Sequence, residues 1–485
     1  MKRWICVALI LSLLLCGCQT QAVPAETAPS TALPAETMPP ETTEQAWTGF
    51  TGSLEGYIYL HEKERDKKWE EDILFIAQDF LDNHPWLVDD TTRTYEVESY
   101  ISTPDWEWKS QYIPEKREAF LAEVNALLPL IPAYESEQLI WEIQRILAGI
   151  GECHANLFVP TTKLFPLSYY PFYENEELVI RVVSAPESKD HLLYCRLTAI
   201  NGIPVEEILD RMRPYCSCDA YSGFLTNATI QTSAPIYLSE PTLLQAIGVI
   251  APDARNADFT FLTESGKTIS QSISAMSIAY YNATEITDHT IITQFPYSFS
   301  PDQESVYWID YKESDSTLYI RLNAYDADLD AEFKETNKKI YSILNSAECM
   351  NKIILDLRQN GGGSPPSALA GLLNFLRNPK VRQVYVLIDG GAFSMAVIAS
   401  YNIRTEIPAA IFVGTPTGQG LPTGSVREPL TTPHHGLMFR TPGGMSVLES
   451  GESFEYFEPD ILVYQTLEDY KQGIDTVLQY VLDRE

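Results

Sequence analysis

A serine and a histidine, far apart in the chain, have the side-chain types and the settings that acyl-transfer chemistry uses. Ser394 closes the run Val384-Tyr385-Val386-Leu387-Ile388-Asp389-Gly390-Gly391-Ala392-Phe393-Ser394, which reads as a buried strand breaking into a glycine-containing turn. A serine held there, where a helix begins, has an exposed hydroxyl and backbone N–H groups beside it, a setting for a nucleophile. His154 lies in Gly149-Ile150-Gly151-Glu152-Cys153-His154-Ala155-Asn156-Leu157-Phe158, a turn between a helix and a strand. An imidazole exchanges a proton near neutral pH, as a general base must. A lone histidine in a turn is also commonly structural, and the residues alone leave both readings of His154 open.

The elements that position Ser394 repeat upstream. Ile353-Ile354-Leu355-Asp356-Leu357-Arg358-Gln359-Asn360-Gly361-Gly362-Gly363 is a second apolar run ending in a glycine-rich turn. Strand-turn-helix units in series build a parallel sheet, and α/β folds place chemistry at the carboxyl ends of such strands. The spacing predicts an opening strand over Leu318–Leu322 and a following helix over Phe333–Leu344. An α/β core is therefore expected over residues 315–485, within an α/β (α+β) multidomain chain.

Ahead of it, apolar residues at helical spacing predict three helices: Ile73, Ile76, Ala77 and Phe80; Phe120, Val124, Leu127 and Leu128; and Leu139, Ile140, Ile143, Ile146 and Leu147. They define a helical N-terminal domain over residues 60–150, and the turn carrying His154 follows it directly. Residues 151–310 read as β-rich, with strands expected at Leu178–Val183, Leu197–Ile200 and Phe259–Leu262, a turn at Asn201-Gly202 and a short helix at Val205–Leu209.

Residues 1–17 read as a processing segment, with Lys2 and Arg3 before an apolar stretch too short to span a bilayer as a mature helix. Leu15-Cys16-Gly17-Cys18 looks like a bacterial lipobox, in which Cys18 would be lipidated; an ordinary cleaved signal peptide or a signal anchor are the other readings. Residues 18–48, rich in Thr, Pro, Ala and Glu, bury too little to order themselves and read as a flexible tether. Anchor and tether together place the folded part outside the cytoplasmic membrane.

The formal charge of −32 over 485 residues argues against nucleic acid or anionic lipid surfaces as partners. Cys216 and Cys218 have one residue between them, which is not a common zinc or redox spacing, and no metal or cofactor is expected. Cys153 and His154 are adjacent, and in a strand they would point to opposite sides, which disfavours a direct pair. His434-His435, in a Thr- and Pro-rich loop, read as exposed rather than as ligands.

Taken together, these landmarks resemble the family of carboxyl-terminal processing and tricorn-like serine peptidases, over roughly Trp69 to Val463. Asp356-Leu357-Arg358-Gln359-Asn360-Gly361-Gly362-Gly363 resembles its Asp-Leu-Arg-x-Asn-x-Gly-Gly core, and Ala392-Phe393-Ser394-Met395-Ala396 falls where members carry the nucleophile. Val413-Gly414-Thr415-Pro416-Thr417-Gly418 resembles the Val-Gly-Glu-x-Thr-x-Gly turn, Glu458-Pro459-Asp460-Ile461 the closing Pro-Asp, and Gly151-Glu152-Cys153-His154-Ala155 the Gly-Asp-x-His-Thr turn of the tricorn-like branch. Leu197-Thr198-Ala199-Ile200-Asn201-Gly202-Ile203-Pro204-Val205 resembles PDZ-like modules, which can bind a peptide as an added strand; a plain β-rich spacer is the competing reading.

The resemblance implies a crotonase/ClpP-like βαβ superhelix for the core and hydrolysis of peptide bonds in extended or unfolded chains, without a cofactor. Processing proteases use a Ser-Lys dyad, but Gly418-Gln419-Gly420 follows the turn here, with no lysine between Arg404 and Arg427. That leaves His154 as the base for Ser394, and it implies Gly362 and Met395 as backbone donors to the oxyanion. The residue orienting His154 stays open: Glu452 and Glu455 lie in roughly the right region but read as solvated surface charges. Thr415, Val397 and Ala155 depart from the pattern, so a catalytically inactive member that binds peptides or serves as a scaffold is the alternative.

Overall fold

The computed structural model describes residues 54–90, 92–93, 106–174, 177–217, 237–277, 305–448 and 452–484. The signal segment, Cys18 and the tether lie outside the described residues, as does Cys218.

The expected α/β core is a six-stranded sheet in the order Tyr307–Lys312, Thr317–Leu322, Met350–Asp356, Val381–Ile388, Ile411–Gly414, Ile461–Leu462. The first pairing is antiparallel and the other four are parallel. Helices Asp330–Ser346, Leu372–Leu376 and Met395–Glu406 form the crossovers for the first three parallel pairings, whereas Ile461–Leu462 is reached through the short strands after Gly414. Successive side chains feed opposite faces. Ile353, Leu355, Val384 and Val386 pack with Phe333, Ile340 and Phe375 on one side. Ile354, Tyr385 and Leu387 pack on the other side with Val477, Leu478 and Val481 of the Thr476–Leu482 helix. A sheet buried on both faces is why these strands read as continuous apolar runs. The antiparallel Tyr307–Lys312 strand went unread because its outer half alternates with exposed polar residues, as an edge strand does.

Helices Leu54–Asn83, Pro114–Leu127 and Ser136–Ala148 form near the predicted places, and Ile73, Phe80, Phe120, Val124, Leu139, Ile143 and Ile146 share one core. The middle region is an antiparallel sheet in the order Ser168–Glu174, Glu177–Ser184, Arg196–Ile200, Asn256–Leu262, Thr268–Ser274. Its Asn201-Gly202 turn takes positive φ at both residues (49° and 77°), as a tight hairpin turn requires, and leads into the Val205–Met212 helix.

One segment crosses between these regions. Strands Thr423–Gly424 and Met445–Leu448 form a sheet with Trp106–Lys109, and Leu430–Thr431 and Met438–Arg440 form another with Asn156–Leu157. Leu437, Phe439 and Met445 accordingly sit in the core of the N-terminal helices. The chain thus returns, after the Met395–Glu406 helix, to brace the turn that carries His154. Among the described residues, Cys153, Cys195, Cys216 and Cys349 form no disulfide.

Candidate active site

Ser394 is the N-cap of the Met395–Glu406 helix, with φ 52° and ψ −119°. Positive φ on a non-glycine residue costs on the order of 1–3 kcal/mol and persists only where the surroundings impose it. Here they do so through the neighbouring loop. Asn360 is fully buried; its carbonyl accepts the Phe393 N–H at 2.9 Å, and its Nδ2 donates to Leu322 O at 2.9 Å. Asp389 accepts the N–H groups of Gln359 (2.8 Å) and Gly391 (2.9 Å), tying together the loops that follow two adjacent strands. Burial pushes the Asp389 carboxyl above its usual range, against the pull of these donors and of Arg358.

Glycine is required at 362. A Cβ there would lie 2.6 Å from Ser394 Cβ and 2.9 Å from the Met395 nitrogen. The two predicted oxyanion donors therefore flank Ser394, but they are not equivalent. Met395 is the first helical residue, whose N–H has no intrahelical acceptor, and no acceptor takes it among the described residues. The Gly362 N–H is given to Asn360 Oδ1 at 2.9 Å.

The Asp-Leu-Arg run beneath this loop is scaffolding. Asp356 is fully buried between Arg321 (2.6 Å) and Arg358 (2.7 Å) and accepts the Tyr319 hydroxyl at 2.7 Å. Arg358 also reaches Asp475, the cap of the Thr476–Leu482 helix, at 2.6 Å. Burial opposes ionisation of Asp356, but the two guanidinium groups and the hydroxyl prevail and lower its pKa to about 2.

His154 lies in a turn between the Ser136–Ala148 helix and the Asn156–Leu157 strand and is 9% exposed. Its orienting group is Glu152. One carboxylate oxygen accepts the His154 backbone N–H and the other faces Nδ1, each at 2.8 Å. Glu152 is fully buried, and the Gly424 N–H also points at it, at 3.2 Å. Burial opposes its charge, yet the charge and hydrogen bond of His154, with His84 and the Gly424 N–H, hold its carboxyl below the usual range. An ionised Glu152 on Nδ1 fixes the tautomer with its proton on Nδ1, leaving the Nε2 lone pair available as a base.

Glu452 and Glu455 are exposed, in keeping with their reading as surface charges. The acid on the histidine was missed although it stands two residues ahead; the signal was the Gly-Asp-x-His pattern, with Glu152 in the place of the aspartate. The Cys153–His154 expectation needs correction. These residues form a turn, not a strand, so their side chains converge and Cys153 Sγ lies 3.6 Å from Nδ1. Donor atoms of Glu152, Cys153 and His154 all fall within 4.8 Å of one another, but the Glu152–Nδ1 bond already engages two of the three.

No direct hydrogen bond joins the Ser394 hydroxyl to His154 among the described residues. Their turns are linked instead by Gln419, fully buried, whose Oε1 accepts the Ser394 N–H at 2.6 Å and whose Nε2 donates to Cys153 Sγ. His434 and His435, exposed as predicted, are engaged all the same: His434 Nε2 meets Glu71, and His435 Nδ1 meets the buried Asp72 at 2.8 Å.

Residues 316–384, from the second strand of the sheet to the fourth, match Peptidase family S41. The structure of mature CPAF complexed with lactacystin aligns over 84% of this chain and 96% of that one, at 12% identity and a TM-score of 0.54. Mature CPAF alone aligns over 86% and 96%, at 13% identity and the same TM-score. The tricorn protease covers 76% of this chain and 36% of its own, at 12% identity and a TM-score of 0.30. No curated protein sequence matches the chain. The match to the family model covers part of the α/β core, and the fold of the chain is like that of mature CPAF.

Proposed function

We propose that the protein is an endopeptidase acting on extended or unfolded polypeptides, with Ser394 as nucleophile, His154 as general base and Glu152 as the carboxylate that orients the base. The observation that carries this reading is the buried Glu152–His154 pair, tied through a single amide to the strained serine at the head of a helix. His154 Nε2 would take the Ser394 proton as the oxygen attacks the peptide carbonyl, then return it to the leaving amine. The Met395 N–H is the ready donor to the tetrahedral oxyanion, and Gly362 joins it once its N–H is shared between Asn360 Oδ1 and the new anion. Water completes the cycle by the same proton path.

The segment over residues 18–48 would hold this enzyme away from the outer face of the membrane on a lipid at Cys18, and the folded part would divide into helical, β-rich and catalytic regions as the sequence suggests. Among the described residues no helix is long and apolar enough to cross a membrane. With Cys18→Ser, the protein should move from the detergent phase to the aqueous phase in a partition assay; retention with the membrane would sink the anchor.

The engaged Gly362 N–H and the missing Ser394–His154 hydrogen bond favour a second reading, a silent peptide binder. Fluorophosphonate labelling separates the two. The enzyme labels on Ser394, cleaves an unfolded protein substrate and loses both properties in Ser394→Ala. A silent binder does neither.

A further inference from the structure

The Gln419 side chain hydrogen-bonds both the turn of Ser394 and the turn of His154. The orientation of its amide is fixed by chemistry. The Ser394 N–H can only donate, so the oxygen of Gln419 faces it, and the NH2 group is left facing Cys153 Sγ. From Cys153 the next contact is His154 Nδ1.

The backbone around Gln419 is built for this close placement. A Cβ on Gly418 would fall 2.1 Å from the Phe393 ring and 2.2 Å from Gly390 O, and one on Gly420 would fall 1.9 Å from Phe454 O. The glycines on either side thus let the chain press between the nucleophile turn and the 454–457 segment. Hydrogen bonds from Gly418 N to Ala392 O (3.1 Å) and from Thr417 N to Phe457 O (3.1 Å) pin it there.

We infer that Gln419 is a positioning residue: its buried amide holds Ser394 in its strained conformation and sets the nucleophile turn against the turn bearing His154. A carboxamide has no basic lone pair at neutral pH, so it takes no part in proton transfer. It acts by occupying the Ser394 N–H, which keeps that residue at positive φ and leaves the Met395 N–H as the donor to the oxyanion. The inference rests on the proposed Ser394–His154 chemistry and deepens it.

The test compares Gln419→Met, similar in volume but unable to make either bond, with the pair Cys153→Ala and Cys153→Ser. Gln419→Met should lower kcat about tenfold to a hundredfold with KM changed less than about twofold, the signature of lost transition-state alignment. The rate of fluorophosphonate labelling at Ser394 should fall in parallel. Cys153→Ala should lower the labelling rate about threefold to tenfold, and Cys153→Ser, which restores an acceptor for the amide, should recover most of that loss. If Gln419→Met does not fold, the cysteine pair decides.

Labelling of folded Gln419→Met at the wild-type rate, or of Cys153→Ala at the wild-type rate when Gln419→Met cannot be had, overturns the positioning role and leaves the peptidase reading standing. Failure of the wild type itself to label on Ser394 overturns both.

Discussion

The two halves of the candidate site are built on opposite plans. The nucleophile turn is local: strand, turn and helix follow one another from Val381 to Glu406, and the restraints on Ser394 come mainly from the loop after the adjacent strand. The base turn is composite. His154 follows a helix of the N-terminal region, but the strand after it pairs with Met438–Arg440, and its carboxylate partner takes a hydrogen bond from Gly424. A local turn needs a short sequence to specify it, whereas a composite turn needs several distant segments to arrive together. Damage to the first should therefore remove the reacting atom, and damage to the second should remove its alignment.

The largest effect expected is at the reacting groups. Ser394→Ala and His154→Ala should each lower kcat by about ten-thousandfold or more, and the double variant should be little worse than either, since the two act as a unit. Independent, multiplying losses would argue against a shared proton transfer. Next comes Glu152→Gln, which keeps the shape but loses the charge that fixes the tautomer. A loss of about a hundredfold to ten-thousandfold in kcat is expected with the fold intact by circular dichroism; a fully active variant would remove Glu152 from the mechanism.

The nucleophile side has its own weak point in the buried ion cluster. Arg358→Met leaves Asp356 and Asp475 short of a partner and should cost about 3–5 kcal/mol of unfolding free energy, measured by urea titration. The same cluster sets a pH dependence. The Asp356 pKa is lowered to about 2, so its contribution is present above the ordinary aspartate range and is lost as pH falls from about 4 toward about 2. The loss should be on the order of 2 kcal/mol and should be missing in Asp356→Asn.

The smallest effect lies farthest from the chemistry, on the base side. His435 stacks on Trp69 at 3.9 Å and meets Asp72, holding the tip of the hairpin whose second strand braces the base strand. His435→Ala should cost about 1 kcal/mol of stability and less than threefold in kcat. A large loss of activity without loss of stability would show that the hairpin does more than brace.

This asymmetry also explains what was legible in the sequence. The parallel strands, their glycine turns and Ser394 could be read because each lies in one contiguous run with a clear apolar pattern. The N-terminal helices showed in the spacing of Ile73, Phe80, Phe120, Val124, Ile143 and Ile146, all of which enter one core. His154 could be paired with Ser394 only through family resemblance, since nothing in its own turn points to the core. Glu152 was overlooked in favour of Glu452 and Glu455 because an acid two residues from a histidine reaches it only when the backbone turns. Gln419 stands out in the sequence only as a residue other than lysine, and its two hydrogen bonds depend on turns that sequence periodicity does not describe. Of the short strands between Thr423 and Leu448, Met438–Arg440 and Met445–Leu448 had no signal because each also pairs with a strand far earlier in the chain, Asn156–Leu157 and Trp106–Lys109.

The most direct test of a shared site is a crystal structure of the covalent phosphonate adduct of the wild-type protein. The account predicts phosphorus bonded to Ser394 Oγ, a phosphonyl oxygen within about 3.1 Å of the Met395 nitrogen, and His154 Nε2 within about 3.2 Å of Ser394 Oγ. An adduct on another residue, or one on Ser394 with the imidazole turned away and out of reach, would contradict it.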